Sequence, residues 1–207
     1  MKFDNLKDRI SYIIGRDMAT NFQKQGLEIN PDVFVQGLKE AMSGTKSNLS
    51  QDEVQEAMME LQQLMQSRQA ASHSRMADIN LQEGEAFLNE NKNREGVVTL
   101  PSGLQYMVLR EGNGKTPGRT DKVTTHYHGT LIDGTVFDSS YERGQPATFP
   151  VNGVIAGWTE ALMKMQEGAK WRLFLPSNLA YGSQGAGEDI GPNATLIFDV
   201  ELLSVNN

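Results

Sequence analysis

Several short stretches of this chain hold side chains that could act together on a ligand. They are Thr125-His126-Tyr127-His128-Gly129, Phe137-Asp138-Ser139-Ser140, Val154-Ile155-Ala156-Gly157-Trp158, Ala180-Tyr181-Gly182 and the run from Ala194 to Leu202, with Asp133-Gly134 between the first two. Their side chains are mainly aromatic and aliphatic, around a single buried-looking carboxylate, Asp138. No nucleophile stands beside a base, and there is no metal cage and no phosphate cradle. Such a set suits a reaction with no covalent intermediate, in which the pocket prefers the transition state to the ground state.

Each residue also has a plainer use. His126 and His128 alternate with Tyr127 on a strand, so they face away from it, and a solvated pair is expected rather than a metal site. The third His, His73, is far off in sequence and there is no Cys, so neither a metal nor a cofactor is implied. Asp138 could cap the Ser139-Ser140 turn. Trp158 offers a large flat ring whose indole N–H needs a backbone acceptor. Tyr181 places a hydroxyl on a loop, where binding groups collect.

Composition narrows the field. A net charge of −7 over 207 residues argues against nucleic acid, whose binders carry basic patches. Without cysteine there are no disulfides and no thiol chemistry. The first residues lack a signal-peptide pattern and no apolar run approaches the roughly 20 residues that span a bilayer, so a cytoplasmic protein with no membrane partner is expected.

Two regions must position these residues. Residues 1–95 hold seven of the ten Met and one of the seven Pro, and read as helical; residues 96–207 hold both Trp and most of the Gly, and read as strands and turns. The boundary is expected near Glu95-Gly96. A first helix carries Leu6, Ile10, Ile13, Ile14 and Phe22, with Asp4 as its cap and Gly26 as its stop. A second opens at Asn30-Pro31 and ends at Gly44. A third opens on the capping box Ser50-Gln51-Asp52-Glu53 and runs to about Asn93. Its middle, Gln66 to Ser74, is polar nearly all round, as in helices that bridge domains. These helices make a thin, Met-rich core, which predicts a homodimer that pools their apolar faces.

Farther on, Leu104, Tyr106 and Val108 alternate, as do Val123, Thr125 and Tyr127, and Leu196, Phe198, Val200 and Leu202 share one face. Asp133-Gly134 reads as a two-residue hairpin turn. A short helix fits at about Gly157 to Met165, closed by Gly168. The fold class is α+β, with an all-α N-terminal domain and a long connecting helix, then a curved antiparallel sheet wrapped on a short helix.

The motifs HYHGTLIDGTVFDSS, VNGVIAGWTEALMKMQEG, AYG and PNATLIFDVELL, in this order, resemble an FKBP-type peptidyl-prolyl cis-trans isomerase from about Val97 to Asn207. The stretches SYIIGRDMATNFQKQG and INPDVFVQGLKEAMSG, with the capping-box helix, extend the resemblance through residues 1–95 to the Mip-like (macrophage infectivity potentiator) two-domain subgroup. The resemblance implies that Asp138, Tyr181, Phe137, Trp158 and Phe198 are catalytic, and that Tyr127, Phe149, Val154 and Ile155 bind substrate or inhibitor. Trp158 would underlie the prolyl ring, the Ile155 amide and Tyr181 hydroxyl would hold substrate carbonyls, and Asp138 would place charge beside the rotating bond. Two positions depart from the family's single-domain members: Ala147 stands where an aromatic often sits, and Ala186 where a His often sits.

The implied function is isomerisation of X–Pro bonds during protein folding, with chaperone-like client binding by a dimer. Its partners would be proline-containing, partly folded proteins and the macrolides tacrolimus and rapamycin. The alternative is a proline-turn-binding chaperone or adaptor in which turnover is incidental.

Overall fold

Capping residues set where the helices begin and end in the computed structural model, which describes residues 3–206. Helix α1 (Leu6–Lys24) starts one residue later than expected: Asn5, not Asp4, caps it, its side chain accepting from the Asp8 N–H at 2.8 Å. Asn30 caps α2 (Pro31–Ser43), with Pro at the first turn where its missing N–H costs nothing, and Gly44 ends it at φ +70°. The capping box forms as expected at the start of α3 (Gln51–Asn91). The Ser50 N–H donates to Glu53 Oε2 at 2.8 Å and the Glu53 N–H donates to Ser50 Oγ at 3.3 Å. Helix α3 stops at Asn91, two residues short of the expected end.

By packing, the chain forms two compact units, Met1–Ala70 and Ala71–Asn207, so α3 contributes to both. The composition change near Glu95-Gly96 marks a different division, between helix-forming and strand-forming sequence. In the first unit Phe22 and Phe34 meet edge-on at 5.6 Å, joining α1 to α2. Neither helix contains a buried residue.

The second unit is built on one antiparallel sheet. Its strands are β1 (Val97–Thr99), β2 (Gln105–Arg110), β3 (Lys122–Leu131), β4 (Val136–Ser139), β5 (Ala147–Pro150), β6 (Lys170–Leu175) and β7 (Leu196–Asn206). Their order is β1-β2-β6-β7-β3-β4, with β5 also paired to β3. Period-2 alternation holds along the two long strands. Val123, Thr125 and Tyr127 are buried on β3, as are Leu196, Phe198, Val200 and Leu202 on β7. The short helix α4 (Ala156–Leu162) buries Trp158, Ala161 and Leu162 in the same core. Gly157 lets α4 sit close, because a Cβ there would lie 2.5 Å from Leu175 Cδ2.

The β3–β4 hairpin departs from the two-residue expectation. The Leu131 N–H donates to the Thr135 carbonyl at 2.9 Å, Gly134 has φ +89°, and the register shifts between Gly129 and Thr130. This is a longer loop whose extra residue is absorbed by a bulge, and it needs a glycine at positive φ.

Candidate active site

Tyr127, Phe137, Asp138, Phe149, Val154, Ile155, Trp158, Tyr181 and Phe198, all the residues singled out from the sequence, line one cleft of about 560 Å³. The architecture explains why they converge. β3 aims Tyr127 inward, β4 brings Phe137 and Asp138, β5 brings Phe149, β7 brings Phe198, and the turn before α4 supplies Val154 and Ile155. Trp158 forms the floor, 4 % exposed. Three rings stand nearly perpendicular to it, Phe198 at 5.2 Å, Tyr127 at 5.3 Å and Phe149 at 6.1 Å. Edge-to-face contacts suit the quadrupoles of aromatic rings and hold the Trp158 ring in place. Phe137 meets Phe198 edge-on at 5.3 Å. Gly129 makes room for that wall, since a Cβ there would lie 2.6 Å from Phe137 Cε2 and Cζ and 2.9 Å from Phe198 Cε1.

The polar side of the cleft corrects the picture of a lone buried carboxylate. Asp138 keeps 42 % of its side chain exposed and pairs with Arg143. The Tyr127 hydroxyl donates to Asp138 Oδ2 at 2.5 Å and accepts from Arg143 Nη2 at 2.7 Å. The guanidinium also lies 5.4 Å from the centre of the Tyr127 ring. Burial raises the Tyr127 pKa, and donation to Asp138 raises it further, against the opposing pull of Arg143. The phenol therefore stays protonated and fixes the Asp138 carboxylate at the cleft edge. Arg143 was not legible as a site residue; it lies in the turn after Ser140, and only folding brings it back over Asp138.

Other expectations also change. The Trp158 indole N–H is buried with no hydrogen-bond partner among the described residues, so the expected backbone acceptor is missing. The turn-capping role open to Asp138 is not taken up; Ser140 Oγ instead accepts from the Tyr127 N–H at 2.7 Å. His126 is only partly exposed: its Nδ1 lies 2.9 Å from Ser140 Oγ and its ring stacks on Tyr141 at 4.6 Å. Among the described residues no group of three or more His, Asp or Glu is placed to hold a metal ion. Trp171 lies outside the cleft, stacked on Tyr106 at 4.2 Å.

The loop between Tyr181 and Thr195 adds Ala186, Gly187, Asp189 and Ile190 to the lining. Ala186 and Ile190 form a small bridge, each N–H donating to the other's carbonyl at 2.9 and 3.1 Å. The Ile155 amide donates to no other backbone group among the described residues, which leaves it free for a ligand carbonyl. An apolar floor, aromatic walls, a free amide and a phenol at the rim can desolvate and hold a small ring with its flanking amides.

Comparisons with known proteins agree with this chemistry. A family model described as FKBP-type peptidyl-prolyl cis-trans isomerase matches residues 113–203. Another, described as a domain amino terminal to FKBP-type peptidyl-prolyl isomerase, matches residues 7–108. "Outer membrane protein MIP" of Legionella longbeachae is 47% identical, covering 96% of this chain and 85% of its own. The FKBP-type 22 kDa peptidyl-prolyl cis-trans isomerase of Escherichia coli is 45% identical over 98% of this chain and 97% of its own. The crystal structure of FkpA from Escherichia coli matches with a TM-score of 0.83 at 36% identity, covering 99% of each chain. This chain belongs to the FKBP-type peptidyl-prolyl cis-trans isomerase family.

Proposed function

We propose that the cleft floored by Trp158 is where this isomerase turns X–Pro bonds, and that residues 1–95 form a dimerisation domain that also holds folding clients. The first part rests on one observation: every residue expected to bind or act on proline lines the same cleft. Amide resonance sets a barrier of about 18–20 kcal/mol. In the twisted transition state that resonance is lost and the carbonyl becomes less polar. An apolar cleft binds this state better than the planar one. Trp158, Phe137 and Phe198 take the prolyl ring, the Ile155 amide and Tyr181 hydroxyl take flanking carbonyls, and Asp138, held by Tyr127 and Arg143, sets the charge beside the bond. A thousandfold acceleration needs only about 4 kcal/mol, within reach of burial and two hydrogen bonds.

Tacrolimus and rapamycin belong to this proposal as competitors for the cleft. Ala186 lines it, and so small a side chain there offers a macrolide less contact than a larger one would. The test is isomerisation of a prolyl peptide with and without rapamycin, read beside tryptophan fluorescence. Ligand should perturb emission in wild type, and Trp158→Leu should abolish the change while Trp171→Phe keeps it. The opposite result puts the ligand elsewhere.

The dimer and client-holding part is supported by the apolar side chains that α1 and α2 leave exposed. The adaptor reading, with turnover incidental, has no observation of its own and fails if a variant that still binds a prolyl peptide but no longer isomerises it loses the acceleration of protein refolding. A cytoplasmic location is carried as part of the proposal and is tested by cell fractionation, for which the outer-membrane title of one relative marks the contrary outcome.

A further inference from the structure

The loop from Gly182 to Thr195 has little regular structure of its own. It holds one 3-10 turn, Gly182–Gln184, and the small Ala186–Ile190 bridge. Yet it supplies one side of the cleft, and Tyr181 stands at its start. Something outside the loop must fix its shape, because an open loop of this length has many conformations to lose.

The C-terminal half of α3, in the same compact unit, meets both ends of the loop. At one end His73 Nε2 lies 3.0 Å from the Ser183 carbonyl. At the other, Asn80 Nδ2 donates to the Pro192 carbonyl at 2.8 Å and Asn193 Nδ2 donates to the Ala77 carbonyl at 3.3 Å. One turn on, Gly84 is buried against Thr195, and a Cβ there would run into Thr195 Oγ1. Positions 73, 77, 80 and 84 are spaced by three or four residues, so they form one stripe along the helix. Asn193 carries a second mark. Among the described residues it is the only non-glycine with positive φ, +55°. Its N–H donates to the Gly182 carbonyl at 2.8 Å, tying the two ends of the loop together. A residue in a sparsely populated conformation persists where its surroundings over-determine it, and here those surroundings include α3.

We propose that Asn80, with His73 and Asn193, acts as a positioning residue for the isomerase site. The C-terminal half of α3 holds residues 182–195 in the shape that keeps Tyr181 and Ile190 at the cleft. Asn80 touches no ligand; it acts through the Pro192 carbonyl. The inference rests on the cleft being the isomerase site, and it extends that site to a helix that supplies no residue to the cleft lining.

The test uses the full-length chain and Asn80→Asp, which keeps the shape of the side chain and removes its N–H donor. Gln82→Glu, exposed on the same helix, is the charge control. A prolyl-peptide assay and hydrogen exchange by mass spectrometry are read together. Asn80→Asp should lower kcat/KM about fivefold, short of the roughly hundredfold that a full ~1 Å misplacement can cost. Exchange should quicken in residues 181–195 while β3 and β7 keep wild-type protection, and Gln82→Glu should match wild type in both. Should Asn80→Asp fail to fold, His73→Ala carries the test, since that side chain is exposed and its loss should loosen the Ser183 end with a smaller fall in kcat/KM. Unchanged kcat/KM, or exchange that quickens equally across the sheet with activity per folded molecule intact, overturns the inference. An inactive wild-type chain overturns the reading beneath it as well, and is distinguished because the control itself then fails.

Discussion

The two compact units use apolar residues in opposite ways. In the sheet unit Leu104, Leu162, Met165, Leu173, Leu196 and Leu202 are fully buried, although Leu81, Val98, Leu109 and Leu203 stay exposed. In the helical unit Ile10 is 47 % exposed, Ile13 56 %, Leu38 48 % and Met42 82 %. The difference teaches where each unit is complete. A sheet closed over one helix satisfies itself in a single chain. Two short amphipathic helices do not, and apolar area left in water costs about 25 cal/mol per Å² that a second surface would recover. Symmetric pairing of identical faces is the commonest solution among soluble proteins.

Charging the exposed face is the strongest way to break this comparison. Ile13→Glu with Leu38→Glu should convert a dimer to a monomer in sedimentation and abolish most of the acceleration of proline-limited refolding of a whole protein. Isomerisation of a short prolyl peptide should stay within about twofold, because each cleft is complete in one chain and only the raised effective concentration of a paired scaffold is lost. A wild-type chain that sediments as a monomer removes the dimer from the account.

A smaller effect sharpens the other side. Gly129→Ala puts a methyl group against Phe137 and Phe198, and overpacking of this kind costs about 1–3 kcal/mol. The midpoint of chemical denaturation should fall, and activity should fall with it as the aromatic wall is displaced. An unchanged midpoint would mean that the wall has room the contacts do not show.

The smallest effect is a pH dependence on the outer face of the sheet. The Tyr141 hydroxyl donates to Glu201 Oε2 at 2.6 Å and Arg110 donates to Oε1 at 2.5 Å. The Tyr141 bond, then the Arg110 bond, hold the Glu201 pKa below its ordinary 4.5. A depressed carboxylate pKa contributes stability that is present above the ordinary value and is lost as pH falls through the folded value. Glu201→Gln should therefore flatten the loss of stability below about pH 4.5 and leave higher pH little changed in thermal melts, by about 1 kcal/mol or less, since the Arg110 side of the pair is 55 % exposed. Identical acid profiles for variant and wild type would assign the acid sensitivity elsewhere.

Much of this was legible because the signals were local. Asn30-Pro31 and the Ser50–Glu53 box announce helix starts through backbone donors that need partners, and alternation on β3 and β7 follows from the pleat. The site residues were legible through the resemblance of their ordered motifs to the FKBP family, since each aromatic taken alone reads as core. What escaped is what only tertiary placement decides. Arg143 is an ordinary turn residue until the chain turns back over Asp138. Ile190 belongs to a stretch with no periodicity. The docking stripe of α3 is built from His73, Ala77, Asn80 and Gly84, so a search for apolar periodicity sees only a polar helix. The hairpin came out longer because a bulge in β3 can absorb a residue without moving the buried face.

The central claim is that the aromatic cleft with Asp138 at its edge performs the isomerisation, and kcat/KM for a prolyl peptide measured on Phe137→Ala and Asp138→Ala tests it most directly. The account predicts a fall of at least tenfold in each, about 1.4 kcal/mol of transition-state stabilisation, with near-UV circular dichroism showing the fold retained. Wild-type activity in both variants would contradict it.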